Sequence, residues 1–192
     1  MEAEPEHKQH MLEAIAREGD GHRALLDGDD DAATRAYERA AAAYRASWEA
    51  APPGAYGRLV GHLKAAVLAG DASGAATYVT GQITPDAAQA SAPAAYALAV
   101  AALVAGDDES AATWAGAMRA GGDAFDRAGA ALLAIARGDQ AAYAEALEAI
   151  VADFAARPDH LTGVRIADTA ILMQRLAGPR GLTATAESPL LP

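Results

Sequence analysis

The feature that most constrains this chain is a Gly-Asp pair that, at four of its six occurrences, directly follows an apolar segment with helical periodicity and marks a repeat. The pairs are Gly28-Asp29, Gly70-Asp71, Gly106-Asp107 and Gly138-Asp139, at intervals of 42, 36 and 32 residues. Glycine adopts the left-handed conformation that ends a helix, and aspartate accepts the free amides that begin the next one. Each pair therefore predicts a tight corner between two helices.

The residues after each corner repeat as well. Positions five, nine and twelve after each glycine differ by four and three, so they share one helix face. Eleven of the twelve residues at these positions are apolar, and a small residue at the first of them lets two helices approach closely. The spacing predicts that the second helix of each hairpin buries this face, which consists of Ala33, Tyr37, Ala40, Ala75, Val79, Gln82, Ala111, Ala115, Met118, Tyr143, Leu147 and Ile150.

This pattern resembles the tetratricopeptide repeat, whose second helix carries small, aromatic and small residues after a similar turn. The first unit matches best, with Gly21, Ala33, Tyr37 and Ala40 where that family has glycine, alanine, an aromatic residue and alanine. The resemblance covers about residues 5 to 156. It implies stacked antiparallel helical hairpins in a right-handed solenoid, with a binding groove lined by the first helix of each hairpin.

The predicted fold is all-α, with a single helical-repeat domain at residues 1–178 and a C-terminal coil tail at residues 179–192. Prolines and a pair of glycines mark the helix breaks outside the Gly-Asp corners. The last helix has no later partner, so it is predicted to cap the stack. Helices are predicted near residues 5–27, 30–51, 55–69, 72–82, 93–105, 108–120, 123–137, 140–156 and 160–177.

Composition excludes several classes of protein. Alanine provides much of the 52% apolar fraction, which favours closely packed helices over an all-β fold, and the absence of cysteine excludes disulfides, thiolate metal sites and cysteine nucleophiles. A net charge of −11 argues against nucleic acid, because an acidic surface repels phosphates. The acidic N-terminus and the lack of a long apolar run predict no signal peptide, no membrane contact and a cytoplasmic location. The excess of arginine over lysine, with abundant alanine, is typical of a GC-rich bacterial genome.

Motifs with specific chemistry are missing from the sequence, and no residue is predicted to be catalytic. There is no phosphate-binding loop, no dinucleotide-binding glycine motif, no nucleophile elbow and no zinc-protease motif. Two weak metal-like patterns occur: His7 with His10, and Asp27, Asp29 and Asp31 with Glu38. Both have simpler explanations, since exposed histidines and aspartates are common at helix starts and the second pattern lacks the turn glycine of a calcium loop. No metal and no cofactor is therefore predicted.

The candidate binding residues flank a Pro-Pro-Gly break at residues 52–54. One aromatic stripe precedes the break, and a basic cluster follows it, in which Arg58 and Lys64 are expected to face solvent. The pattern fits either ordinary helix packing or a recognition surface. The candidates are Tyr44, Trp48, Tyr56, Arg58, His62 and Lys64.

Together these features predict a non-catalytic protein- or peptide-binding module that uses its inner groove. The first helices that would line this groove carry His22, Arg58, His62, Lys64, Tyr96, Phe125 and Arg127. An alternative is a toxin-neutralising inhibitor of the immunity or antitoxin kind, because the first 31 residues carry ten carboxylates against three basic groups, a net charge of −7. A third alternative is an enzyme or small-ligand pocket within the stack. The partner could also be a second copy of the chain.

Overall fold

The computed structural model describes residues 5–192, apart from the side chains of residues 119 and 120. This part of the chain is 76% helical and contains no strand, so the predicted all-α class is confirmed. None of its helices combines the length and apolar character that crossing a membrane requires. The α-helices are α1 (Glu6–Leu26), α2 (Asp30–Glu49), α3 (Gly57–Ala69), α4 (Ser73–Gln82), α5 (Pro85–Ala90), α6 (Ala92–Ala105), α7 (Asp108–Ala117), α8 (Asp123–Arg137), α9 (Gln140–Ala156) and α10 (Asp168–Ala177). Short 3-10 turns follow α7 (Met118–Gly121) and α10 (Gly178–Arg180).

The four Gly-Asp corners form much as predicted. Their glycines have φ values between 66° and 97°, a backbone conformation in which a side chain would be strained. Asp29, Asp107 and Asp139 each accept a hydrogen bond from the amide three residues later, at 2.9–3.0 Å. Asp71 differs, because its carboxylate accepts from the Ser73 hydroxyl at 3.3 Å and caps no amide of α4. Three of the four aspartates therefore start a helix as expected.

The repeated face is buried at ten of its twelve positions. Ala75 is half-buried, and Gln82 is exposed at the last residue of α4. In the first hairpin, Gly21 of α1 lies directly against the ring of Tyr37, where an added Cβ would come within 2.7 Å of a ring carbon. The predicted burial of this face is thus confirmed at ten positions, and glycine brings α1 and α2 into close contact.

Helices that follow each other in the chain pack together. The α1–α2, α2–α3, α6–α7, α7–α8 and α8–α9 pairs make the most extensive contacts. In addition, α3 contacts α6, and α6 contacts α8. We call the surface formed by α3, α6 and α8 the first-helix face, because each of these helices begins a hairpin.

The predicted helices differ from the structure at two places. No helix is predicted at residues 83–92, but residues 85–90 form α5, because the Thr84 hydroxyl accepts the Ala87 amide at 3.3 Å and starts a short helix. The last helix begins at Asp168 instead of near residue 160. Residues 157–167, which we call the α9–α10 loop, leave the helical path, and Thr162 holds the loop against α1 through a 3.0 Å hydrogen bond to His22 Nδ1.

The predicted cap position of the last helix is also wrong. Besides α9, α10 contacts α3, α6 and α8, so it lies against the first-helix face. Its two sides contribute to different parts of the interior: Leu172 and Leu176 join the main core, whereas Ile171 joins a cluster that contains Leu25 and Tyr37. The chain's own C-terminal helix therefore covers the face that a partner was expected to occupy.

The segment predicted as a coil tail, residues 179–192, has no α-helix but packs against the domain. Leu182 and Leu190 are buried in the main core, and the Leu190 carbonyl accepts a hydrogen bond from the Ala167 amide at 2.9 Å. The Gln140 side chain exchanges two hydrogen bonds with the backbone of Thr183. The segment that follows α10 therefore folds back onto Ala167, the residue before the start of α10, and onto the start of α9.

Ala75 and Ala111 occupy the same repeat position but differ in burial, which predicts different responses to a larger side chain. Ala111 is fully buried, so Ala111→Leu is expected to lower the unfolding free energy by about 1–3 kcal/mol through overpacking. Ala75 is half-buried, so Ala75→Leu is expected to change it by no more than about 0.5 kcal/mol. Urea unfolding of both variants measures the difference, and equal effects would contradict this packing.

Candidate functional site

A buried group of charged residues joins α1, α3 and α10. The side chain of Glu18 is fully buried, and those of Lys64 and Asp168 are 13% and 14% exposed. Lys64 Nζ lies 2.8 Å from Glu18 Oε1 and forms a second ion pair with Asp168 Oδ2. From α2, the Tyr44 hydroxyl donates a hydrogen bond to Glu18 Oε2 at 2.7 Å. We call these four residues the ionic cluster.

Each charge in the ionic cluster depends on the others. Burial disfavours the charged form of Lys64, but the carboxylates of Asp168 and Glu18 outweigh it and raise the pKa of Lys64 well above its usual value. Burial likewise opposes ionisation of Asp168, but the Lys64 charge outweighs it and lowers the pKa of that carboxyl. Lys64 therefore stays protonated at neutral pH, which suits a structural cation and does not suit an amine nucleophile.

The residues of the predicted basic cluster do not share a surface. Lys64 lies about 200° around α3 from His62, so the two contact different neighbours. His62 is buried, with Nδ1 2.9 Å from the Ala41 carbonyl oxygen, and Arg58 donates to the Ser47 hydroxyl at 2.8 Å. The expectation that Lys64 faces solvent is wrong, because two carboxylates from distant helices hold it in the interior.

The predicted aromatic residues are divided as well. Tyr44 is buried against Gly61, whereas Trp48 and Tyr56 are half-buried. The Trp48 and Tyr56 rings stack with their centroids 5.6 Å apart and an angle of 30° between their planes. Together with Pro52 and Pro53 they line a cleft of about 450 Å³ at the corner between α2 and α3. We call it the aromatic cleft.

A cavity of about 170 Å³ beneath the α9–α10 loop was not expected from the sequence. Its walls include Lys64 and Asp168 of the ionic cluster, His22 of α1, and His160 and Thr162 of the loop. We call it the histidine cavity. It brings together three segments that are far apart in the chain.

Both histidines of this cavity have a buried ring nitrogen without a hydrogen-bond partner. His22 is 1% exposed; its Nδ1 pairs with Thr162, and its Nε2 has no partner. The Nε2 of His160 is also buried and without a partner. Burial lowers the pKa of His22, so its imidazole is neutral at pH 7. Unpaired buried nitrogens are costly, which makes this cavity the strongest candidate for a ligand site.

A second cavity of about 170 Å³ adjoins the first and shares Phe154, Arg157 and Thr169 with it. Tyr96, Phe125 and Arg127, which the sequence places on first helices, line this second cavity, which we call the aromatic cavity. His22 and Lys64 line the histidine cavity, so five of the seven residues assigned to the groove reach these two cavities. Arg58 and His62 do not.

Glu18, Asp168, His160 and Thr162 were missed as site residues. The burial of Glu18 could have been predicted from the sequence, because Glu18 lies at helical spacing from Ala14 and other buried residues of α1. The other three had none, since they come from the last fifth of the chain, and nothing local links them to α1 or α3.

The acidic N-terminal segment is not a uniform surface. Glu18 is buried, Asp20 pairs with Arg23 at 2.7 Å, and Asp29 caps α2. Glu2 and Glu4 lie outside the described residues. Besides Asp29, three residues at the α1–α2 corner carry exposed carboxylates: Asp27, Asp30 and Asp31.

Three groups resemble metal ligands. Glu18, His22 and Asp168 offer ligand atoms within 4.8 Å of one another, but the Lys64 ammonium pairs with both carboxylates and supplies the positive charge there. In the calcium-like pattern Asp29 is already engaged as a helix cap, and at the start of α1 His10 lies 3.6 Å from Glu6. We assign none of these groups to a metal.

Millimolar calcium or a modest excess of zinc is therefore expected to leave the melting temperature unchanged. A metal at 100 times its dissociation constant would add about 2.7 kcal/mol to the unfolding free energy, which a thermal scan detects readily. Asp29→Asn provides the comparison for the calcium-like pattern, and Glu18→Gln provides it for the buried group of Glu18, His22 and Asp168. A rise of several degrees that either substitution removes would contradict the assignment.

Buried His22 is expected to make the fold sensitive to acid. Its pKa is lowered below 6.5 by burial, so the unfolded chain binds a proton at a higher pH than the native state does. This stabilisation is complete above about pH 6.5 and is lost as the pH falls through the lower native pKa. Asp168, whose native pKa is also lowered, adds a further loss at more acidic pH. Urea unfolding at several pH values should show both losses. His22→Gln should reduce the first, and buried His62, whose pKa is also lowered by burial, accounts for the rest of it.

A partly exposed histidine, His10, provides the control for this pH dependence. His10 is partly exposed and lies near Glu6, so His10→Gln should leave the profile unchanged. A wild-type profile that stays flat between about pH 7 and pH 5 would show that His22 is not desolvated as described.

Comparisons of the chain with protein-family models, with curated proteins and with solved structures found no match. Its function must therefore be inferred from the contacts described above.

Proposed function

We propose that this chain is a non-catalytic protein- or peptide-binding module made of tetratricopeptide-like hairpins that stack as a right-handed solenoid. The capped corners, the buried repeated face and the contacts among α3, α6 and α8 support this arrangement. The protonated state of Lys64 supports a structural role for the ionic cluster. Binding, and not catalysis, is the activity that these features favour.

The proposal rests on the stacked Trp48 and Tyr56 rings in the aromatic cleft. Tryptophan and tyrosine are enriched where protein interfaces gain most of their binding energy, because they bury a large area at low entropic cost. A half-exposed pair that is already stacked loses little further freedom when a partner covers it. Since α10 covers the first-helix face, we place the partner in the aromatic cleft and not in the inner groove.

The cleft also indicates the chemistry of the partner. Its walls are aromatic and proline-rich, and Glu49 is the one charged residue among the described residues that line it. Gln82, which accepts a hydrogen bond from Trp48 Nε1 at 3.4 Å, supplies an amide at its edge. A peptide segment with an exposed apolar or proline side chain fits these walls. The net charge of −11 favours encounter with a basic partner.

Affinity capture with matched variants tests the proposal. A partner enriched by the wild-type chain is purified, and its dissociation constant is measured for Trp48→Ala and Tyr56→Ala. Each is expected to weaken binding about 30-fold or more, as residues at the centre of an interface do. Trp114→Ala is the control, because Trp114 is also half-buried but lies on α7, outside the cleft. Unchanged affinity in both cleft variants would contradict the assignment.

The inhibitor alternative is supported by the exposed carboxylates at the α1–α2 corner. If that region is the contact surface, capture survives Trp48→Ala and is lost when the corner is neutralised by Asp27→Asn, Asp30→Asn and Asp31→Asn together. Such an interaction would also weaken strongly as salt is raised. If the captured partner is a second copy of the chain, sedimentation at increasing concentration shows the dimer directly.

A further inference from the structure

The hydrogen bonds around the histidine cavity determine which of its groups are free to bind a ligand. Thr162 Oγ1 accepts a hydrogen bond from the Val164 amide at 3.4 Å, so its own proton is available to His22 Nδ1, 3.0 Å away. We assign the hydroxyl as donor in this contact. A neutral imidazole has one N–H, so His22 then carries it on Nε2, the buried nitrogen without a partner. His22 thus presents an unused hydrogen-bond donor.

The charged groups around the cavity differ in how far they are already paired. Lys64 and Arg157 contribute two positive charges to the wall, and Asp168 contributes one negative charge. Glu18 is not part of the wall, but it also pairs with Lys64 and offers an oxygen within 4.8 Å of a His22 nitrogen. Asp168 is already paired with Lys64, and its other oxygen accepts from the Thr169 hydroxyl at 3.3 Å. Arg157 uses Nε and Nη2 to bind Asp153, which lines the adjoining aromatic cavity, and so keeps Nη1. The Asp168 carboxylate therefore already has hydrogen-bond partners, whereas Arg157 Nη1 is still available to a ligand.

The cavity reaches the surface and adjoins the aromatic cavity, whose walls also carry Arg127 and Asp153. Leu161, on the α9–α10 loop, is 68% exposed and also lines the cavity, so the wall there reaches the surface. On the other side, the aromatic cavity is lined by Tyr96 and Phe125, whose rings meet edge to face at 6.3 Å. The Tyr96 hydroxyl is buried without a partner. Phe154 belongs to the walls of both cavities.

We propose that the histidine cavity binds the carboxylate of a small organic acid, whose apolar or aromatic body lies in the adjoining aromatic cavity. The carboxylate accepts hydrogen bonds from His22 Nε2 and His160 Nε2, opposite the positive charges of Lys64 and Arg157. The body packs against Phe125 and Phe154. This small-molecule site is separate from the aromatic cleft and does not depend on the protein-binding proposal.

Other ligand classes fit the same walls less well. An organic amine would place a positive charge beside Lys64 and Arg157 and would leave both histidine nitrogens without an acceptor. Inorganic phosphate would satisfy the donors but leave the aromatic cavity empty. A carboxylate with an aromatic body is the class that uses both cavities.

Isothermal titration with phenylacetate tests the proposal on the full chain. Acetate, phenethylamine and inorganic phosphate serve as matched probes that lack the ring, the negative charge or the carbon body. We expect saturable one-to-one binding of phenylacetate, with acetate and phosphate at least about tenfold weaker and phenethylamine not bound. Absence of saturable phenylacetate binding, or equal binding of phenethylamine, would overturn the proposal. Phosphate that binds as tightly as phenylacetate would also overturn it, by showing that the site takes an anion without regard to its body.

A variant at His160, with a control at His10, locates the binding. His160 lies on the loop and is half-buried, so His160→Ala should fold normally and weaken phenylacetate about tenfold through loss of one hydrogen bond to a charged group. His10→Ala is the control, since His10 lies on α1 outside the cavity. Imidazole nitrogen NMR of the wild type adds a readout that does not depend on mutation. The signals of His22 and His160 should move on addition of phenylacetate, while those of His10 and His62 stay fixed; the reverse pattern would contradict the site.

Discussion

Replacement of Lys64 by methionine is expected to lower the unfolding free energy by about 3–5 kcal/mol. The change keeps most of the side-chain volume but removes the cation that pairs with both Glu18 and Asp168, whose side chains are 0% and 14% exposed. A buried charge that has lost its partner is strongly destabilising, because the interior does not solvate it as water does. Chemical denaturation with circular dichroism measures the loss.

Two further variants separate this effect from a general sensitivity to charge removal. Arg23→Met removes an ion pair with Asp20 at 2.7 Å whose side chains are about half exposed, so it should cost no more than about 1 kcal/mol. The triple variant Lys64→Met, Glu18→Gln and Asp168→Asn removes all three charges and should recover much of the stability lost in Lys64→Met alone. A triple variant less stable than the single one would show that the ionic cluster stabilises by more than charge pairing.

Substitution of Gly61 by alanine is expected to cost about 3 kcal/mol, the upper end of the usual range for overpacking. An added Cβ would lie 2.6–2.8 Å from three atoms of the Tyr44 ring. Tyr44 is 2% exposed, and its hydroxyl is held by Glu18, so the ring cannot move away without breaking that hydrogen bond. The close contact between α2 and α3 therefore depends on the absence of a side chain at this position.

Gly74 is the matched control. It lies within α4 and is exposed, and nothing stands within 4 Å of an added Cβ. Gly74→Ala should therefore raise the unfolding free energy by about 0.5–1 kcal/mol, because alanine loses less backbone entropy in a helix than glycine does. If Gly61→Ala were stabilising to the same extent, α2 and α3 would have to be farther apart than described.

Part of the candidate site could be predicted from sequence because its residues belong to the repeat. Trp48 and Tyr56 flank a proline-rich break and stay near the surface, as their positions at the ends of α2 and α3 indicate. Arg58, His62 and Lys64 looked like one basic patch because they are close in sequence. On a helix, six residues are enough to turn a side chain to another neighbour, so closeness in sequence did not mean a shared surface.

The ionic cluster and the histidine cavity could not be predicted in the same way. Lys64 and Asp168 are 104 residues apart, and His22 and Thr162 are 140 apart. No periodicity links such positions, since a helical pattern shows which face is buried but not which distant helix covers it. The predicted cap position of α10 is wrong for this reason.

By itself, the sequence determined that this chain is helical, where most of its corners lie, and which side of each second helix is buried. These properties depend on interactions within one or two turns, such as the left-handed glycine, the aspartate cap and the spacing of small residues. Only the tertiary structure decided that α10 covers the first-helix face and that Lys64 is buried between two carboxylates. It also decided that two histidines with unpaired buried nitrogens line one cavity. Those outcomes depend on which apolar faces and charges meet when distant segments pack. The native set of contacts is the one that minimises the free energy of the whole chain and not of any one helix.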